Sequence, residues 1–63
     1  QMIRLAQAGQ SFKVRLLDLK GAVIVPQSSK KTQWEYDHSS LPGGTYLLEV
    51  QIEGQLYRKK VQL

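Results

Sequence analysis

Residues 41–63, LPGGTYLLEVQIEGQLYRKKVQL, hold the pattern that decides the fold. Tyr46, Leu48, Val50 and Ile52 alternate with Leu47, Glu49, Gln51 and Glu53, the period of two expected when one strand face is buried and the other is wet. A strand over residues 45–53 follows. If Gly54 and Gln55 are the central residues of a type II′ turn, with Gly in first place, Ile52 faces Tyr57, Leu48 faces Val61 and Tyr46 faces Leu63. On the other face Glu49 then meets Lys60 and Gln51 meets Arg58. A slip in register sets Glu49 beside Arg58 and Val50 beside Tyr57 across a different turn, and the first register is the favoured one. Lys59 is the residue it leaves unexplained, because it lands on the apolar face opposite Val50.

The same alternation continues upstream. Ile3 and Leu5 mark a short first strand that ends at a turn over Ala8, Gly9 and Gln10. Phe12, Val14 and Leu16 define a second strand over residues 11–17, with Leu17 as the apolar residue out of step. Asp18-Leu19-Lys20-Gly21 reads as a tight turn, since an Asp at the first position bonds the backbone ahead and a Gly suits the fourth. Ala22 to Val25 is a β-branched run stopped by Pro26, and Gln27 to Lys31 reads as a polar loop. Gln33, Glu35 and Asp37 alternate with Thr32, Trp34 and Tyr36 in a fourth strand that puts Trp34 at the centre of the core. Residues 38–44 connect to the hairpin, with Leu41 as a plug beneath the sheet. Helical periodicity is nowhere evident. Short strands, about six to seven in number, separated by Gly, Pro and Ser turns, predict an all-β fold: a small antiparallel β-sandwich or open barrel.

A chain of 63 residues is expected to form a single domain near the lower size limit for folding without a metal or disulfide. It has no cysteine, which excludes disulfides and thiolate metal sites. No apolar run approaches the roughly 20 residues of a membrane helix, and no basic segment followed by an apolar one marks a leader. A chain that opens on Gln1 and enters a strand almost at once reads as the C-terminal module of a longer protein. The net charge of +4 and pI near 9.7 suit an anionic partner such as nucleic acid, lipopolysaccharide or an acidic protein surface. The cations are nonetheless spread over every segment, with short clusters only at Lys30-Lys31 and Arg58-Lys59-Lys60, as on solvated strand faces.

Little in the chain suits catalysis. Asp37, His38, Ser39 and Ser40 hold the residue types of a hydrolase triad, but neighbours on an extended segment point to alternate sides and cannot form a linear relay. The carboxylates pair with basic neighbours or occupy turns, so none is set apart for acid or base work. One His with dispersed carboxylates is a poor metal site, and Gly43-Gly44 leads into a strand rather than a helix, unlike a phosphate loop. No enzyme activity and no cofactor are expected. A small basic barrel could bind single-stranded nucleic acid by stacking bases on Phe12, Trp34, Tyr36, Tyr46 and Tyr57. All but Tyr57 share faces with aliphatic residues, where burial suits them better, so no nucleic-acid partner is expected.

The segment VRLLDLKGAVIV, residues 14–25, resembles the strand, D-x-x-G turn and strand of the C-terminal sorting domains that address cargo to the type IX secretion system of certain Gram-negative bacteria. The ending is similar too: Leu41, Gly44 and Tyr46 fit that family's L-x-x-G-x-Y, followed by an alternating strand, a turn at Gly54 and a last strand carrying Lys59, Lys60 and Val61. The resemblance covers the chain from Ile3 onward. It implies an immunoglobulin-like sandwich that acts as a non-catalytic secretion signal. Such a domain docks on the translocon, passes from the periplasm across the outer membrane with its passenger, and meets a sortase-like peptidase that removes it. The passenger is then secreted or held at the cell surface, where it can be linked to anionic lipopolysaccharide. The family's upstream Y-P-N-P segment is absent, which leaves a strand unaccounted for and an edge open to a second copy by strand exchange. The recognition residues implied are Asp18, Gly21, Gly44, Tyr46, Lys59, Lys60 and Val61; the competing reading is that Asp18, the glycines and Tyr46 serve turn geometry and packing alone. A purely structural accessory domain of a surface protein is the remaining alternative.

Overall fold

The computed structural model describes residues 1–7 and 9–63. Six strands follow one another: β1 (Met2–Ala6), β2 (Phe12–Asp18), β3 (Val23–Lys30), β4 (Gln33–Asp37), β5 (Thr45–Ile52) and β6 (Gln55–Gln62), with no helix among the described residues. They form two antiparallel sheets, β1-β4 and β3-β2-β5-β6. Of the turn expected at Ala8, Gly9 and Gln10, Ala8 lies outside the described residues.

The core fills the space between the sheets. Phe12, Val14 and Leu16 of β2, Trp34 of β4, and Tyr46 and Leu48 of β5 form one buried cluster, and Ile3, Leu5, Tyr36 and Leu41 pack against it. The expected placements of Trp34 and Leu41 are therefore observed. Alternate residues of adjacent strands point inward because the side-chain period of a strand is two. Leu17, out of step in the sequence, is buried on the outer face instead, in register with Val23 on one side and Leu47 on the other.

Two local expectations are corrected. The strand expected to stop at Pro26 runs on through it to Lys30, so residues 27–30 are strand rather than loop. The reason is positional: β3 is an edge strand, and its pairing advances from Val25 to Ser28 while β2 advances only from Leu16 to Val14, which places Pro26 in a bulge. At an edge bulge no ladder hydrogen bond is asked of the missing N–H.

The terminal hairpin adopts the alternative register. Glu49 pairs with Arg58 and Val50 with Tyr57, so the pairs Glu49–Lys60 and Gln51–Arg58 do not form, and Lys59 sits opposite Leu48 rather than Val50. The turn is centred on Glu53 and Gly54, with φ of 50° and 80°, in place of Gly54 and Gln55. Positive φ at both central residues is the type I′ geometry, whose twist matches the flanking strands. Gly54 takes this conformation freely. Glu53 takes it with its carboxylate fixed by the Gln10 side-chain amide at 2.8 Å. Lys59 stays on the inner, apolar face in either register.

Candidate recognition surface

The larger sheet brings the residues singled out in the sequence to one end. Asp18, Tyr46 and Val61 stand in a single cross-strand row over β2, β5 and β6. The next rows inward are Leu17, Leu47 and Lys60, then Leu16, Leu48 and Lys59. Gly21 and Gly44 lie in the loops at this same end, where β2 finishes, β5 begins and β6 finishes. Lys59 and Lys60, being consecutive, point to opposite faces: Lys59 inward and Lys60 outward, both exposed.

The Asp18 turn is built by its own side chain. Asp18 Oδ1 accepts hydrogen bonds from the backbone N–H of Lys20 and of Ala22, each at 2.9 Å. The Gly21 N–H donates to the Asp18 carbonyl at 3.1 Å, and the Asp18 N–H donates to the Ala22 carbonyl at 2.9 Å. Every polar group of the carboxylate's near side is thereby committed to the hairpin, as expected for an Asp that closes a turn on itself.

At the start of β5, the Tyr46 hydroxyl donates to the Pro42 carbonyl at 2.7 Å while its ring lies in the core. A tyrosine bonded to backbone a few residues upstream is the tyrosine corner of immunoglobulin-type sandwiches. Gly44, at φ 152°, exchanges two backbone hydrogen bonds with Leu63, at 3.1 and 2.9 Å, which anchors the last residue of β6's run. A side chain at Gly44 meets backbone strain rather than crowding, since nothing lies within 4 Å of its added Cβ. Val61, opposite Tyr46, is half-buried and packs on the core.

Sequence reasoning found only part of one feature. Glu49 is 6% exposed although it lies on the outer face. Its Oε1 accepts from Arg15 Nε at 2.5 Å and its Oε2 from Arg58 Nε at 2.6 Å, so one carboxylate ties β2, β5 and β6 together. The hydrogen bond from Arg58, then that from Arg15, holds the Glu49 carboxyl below its ordinary value of 4.5, against the opposing effect of burial. For Arg15 the sequence signal was only its place on the wet face of β2; its position beside Glu49 comes from the adjacency of β2 and β5.

The residues resembling a triad serve the backbone. Asp37 accepts from the Ser39 N–H at 3.0 Å and from the Ser39 hydroxyl, and these bonds lower its pKa. The His38 N–H donates to the Gln1 carbonyl at 3.0 Å, which extends the β1-β4 ladder. Nor do the aromatics form a stacking platform for nucleic acid: Phe12, Trp34 and Tyr46 are buried, and Tyr36 stacks on Trp34 with centroids 6.1 Å apart.

Two antiparallel sheets closed over one core by a tyrosine corner define a small immunoglobulin-like sandwich. The family described as the secretion system C-terminal sorting domain matches residues 1–63, and the chain belongs to it. Its general role is therefore that of the family, a type IX secretion sorting signal whose passenger is exported to the cell surface or secreted. No curated protein and no solved structure matches the chain.

Proposed function

We propose that this domain docks on a protein of the outer-membrane translocon through the end of its larger sheet, with β6 as the leading element and Lys59, Lys60 and Val61 as its principal contacts. Asp18 and Gly21 shape the adjoining turn, and Gly44 and Tyr46 fix where β6 ends. The passenger travels through the periplasm with this label attached and passes to a sortase-like peptidase, with anionic lipopolysaccharide as the acceptor at the surface.

The observation that carries this reading is the contrast within β6. Its backbone pairs on one side only, and Lys59 and Lys60 are exposed with no ion-pair partner among the described residues. A strand held in one pose with an open edge and free cations can add to another sheet and read its charge. The alternation of hydrogen-bond directions assigns the open side. Leu63 exchanges both its bonds with Gly44, so residues 55, 57, 59 and 61 face β5, and the N–H and C=O groups of Leu56, Arg58, Lys60 and Gln62 face outward.

Fusion of the chain to the C-terminus of a periplasmic reporter in a type IX-competent host tests the reading. Surface delivery is expected, with removal of Val61 to Leu63 leaving the reporter in the periplasm. Delivery unaffected by that removal contradicts it.

A further inference from the structure

Cations that lie scattered along the chain are gathered by the fold onto one surface. On the outer face of the larger sheet, Lys13 and Arg15 of β2 stand in the rows of Gln51 and Glu49 of β5, and Arg58 and Lys60 of β6 carry the positive charge to the far edge. Glu49 is the one carboxylate among the described outward strand residues of this face. The outer face of the smaller sheet has the opposite balance, with Arg4 beside Glu35 and Asp37. The sandwich is therefore positive on one side and weakly negative on the other.

Glu49 orders this charge rather than cancelling it. Both its oxygens are taken, one by Arg15 Nε and one by Arg58 Nε, and no other hydrogen bond leaves either guanidinium among the described residues. A nearly buried carboxylate thus holds two arginines in one row with their terminal amino groups unbonded. Lys13 stands one row beyond Arg15 on β2, and Lys60 one row beyond Arg58 in the opposite direction on β6; neither has an ion-pair partner among the described residues. With strands about 4.8 Å apart and alternate residues about 7 Å apart along each, the four cations span a diagonal strip about 17 Å long. Exposed apolar side chains occupy the remaining corners. Leu56 shares the row of Lys13 and Val23 the row of Lys60, and each is 49% exposed. Cations interleaved with exposed apolar groups suit the headgroup boundary of an anionic bilayer. An acidic protein surface fits less well, because lysine is depleted where proteins meet proteins.

We propose that the outer face of the larger sheet rests on an anionic phospholipid surface, with Lys13, Arg15, Arg58 and Lys60 meeting headgroup phosphates and Val23 and Leu56 entering the boundary beside them. The planar guanidinium forks of Arg15 and Arg58 match phosphate oxygens two at a time, and the lysines add point charge around them. The smaller sheet, with Glu35 and Asp37, then faces away from the lipid. Translocon docking uses the outward edge of β6 and shares only Lys60 with this face, so either can fail without the other.

Cosedimentation of the 63-residue chain with vesicles tests this directly. One set is an equal mixture of phosphatidylglycerol and phosphatidylcholine, and the other is phosphatidylcholine alone. Binding to the first set is expected, little to the second, and the difference is expected to shrink as salt rises. Lys13→Gln, at an exposed position that translocon docking does not use, is expected to weaken binding to the anionic vesicles about fivefold. Arg4→Gln removes the same charge from the opposite side of the sandwich and is expected to leave binding within about twofold of the parent. Equal binding to both vesicle sets, or equal losses from Lys13→Gln and Arg4→Gln, overturns the proposal. Binding to soluble polyglutamate without binding to the anionic vesicles overturns it in favour of an acidic protein surface. Vesicle binding that fails while reporter delivery holds overturns this proposal and leaves translocon docking standing.

Discussion

β2 and β6 flank β5 on either side and run antiparallel to it, yet they are used in opposite ways. On β2, Phe12, Val14 and Leu16 are buried on the inner face, and Leu17 on the outer. Along β6 only Val61 is even partly buried; Tyr57, Arg58, Lys59 and Lys60 are exposed. The same ladder of backbone hydrogen bonds thus serves a strand that makes the core and a strand that is held out from it. In a chain this small there is one core to share, and the sheet's interior is formed by β2 and β5, with β6 left largely exposed.

The contrast breaks first at its strong end. Leu16→Ala removes a side chain with no solvent exposure and leaves a cavity, and is expected to cost about 3 kcal/mol, which in so small a domain lowers the melting temperature by well over 10 °C by the scaling of roughly 4–8 °C per kcal/mol. Tyr57→Ala on β6 is expected to stay within about 0.5 kcal/mol. Equal losses in urea titrations of the two variants remove the distinction.

Glu49 is the joint between the two regimes, because its carboxylate holds Arg15 of β2 and Arg58 of β6 at once. Glu49→Gln keeps the shape and loses the charge, and is expected to cost about 2 kcal/mol. Its pH dependence follows from the lowered pKa in the folded state. The contribution is fully present above the ordinary value of 4.5 and is lost as pH falls through the depressed folded value. Stability of the parent chain is expected to fall more steeply with acid than that of Glu49→Gln. Parallel curves below pH 5 or so would show that the joint carries no such weight.

The smallest effect concerns where β5 begins. Tyr46→Phe keeps the ring in the core and deletes the hydroxyl that donates to Pro42, for an expected cost of about 1 kcal/mol in chemical denaturation. A neutral result would mean that the corner is decorative, and that Gly44 and Leu63 alone set the end of β6.

What the sequence revealed follows the same division. Strands whose inner faces meet the core were legible from alternation, because burial of one face imposes the period of two: Phe12, Val14 and Leu16, Trp34 and Tyr36, and Tyr46 to Ile52 all fall where that period puts them. The edges were less legible. Pro26 reads as a stop in isolation, and only the edge position and bulge of β3 let the strand run through it. Glycine-first turn chemistry favoured Gly54-Gln55, since a glutamate at positive φ is uncommon; the Gln10 contact that holds Glu53 joins residues far apart in sequence. The order and spacing of the turn at Asp18, the Gly44-Tyr46 start and the terminal lysines led to the right family. The convergence of these residues at one end of a sheet depends on strand order, which no local pattern encodes.

The most direct test of the division between core and contact is the charge reversal Lys59→Glu with Lys60→Glu, assayed for reporter delivery to the cell surface and for melting temperature in the same chain. The account predicts a domain that melts within a few degrees of the parent but leaves its passenger in the periplasm. Surface delivery at the parental level from a folded, charge-reversed domain would contradict it.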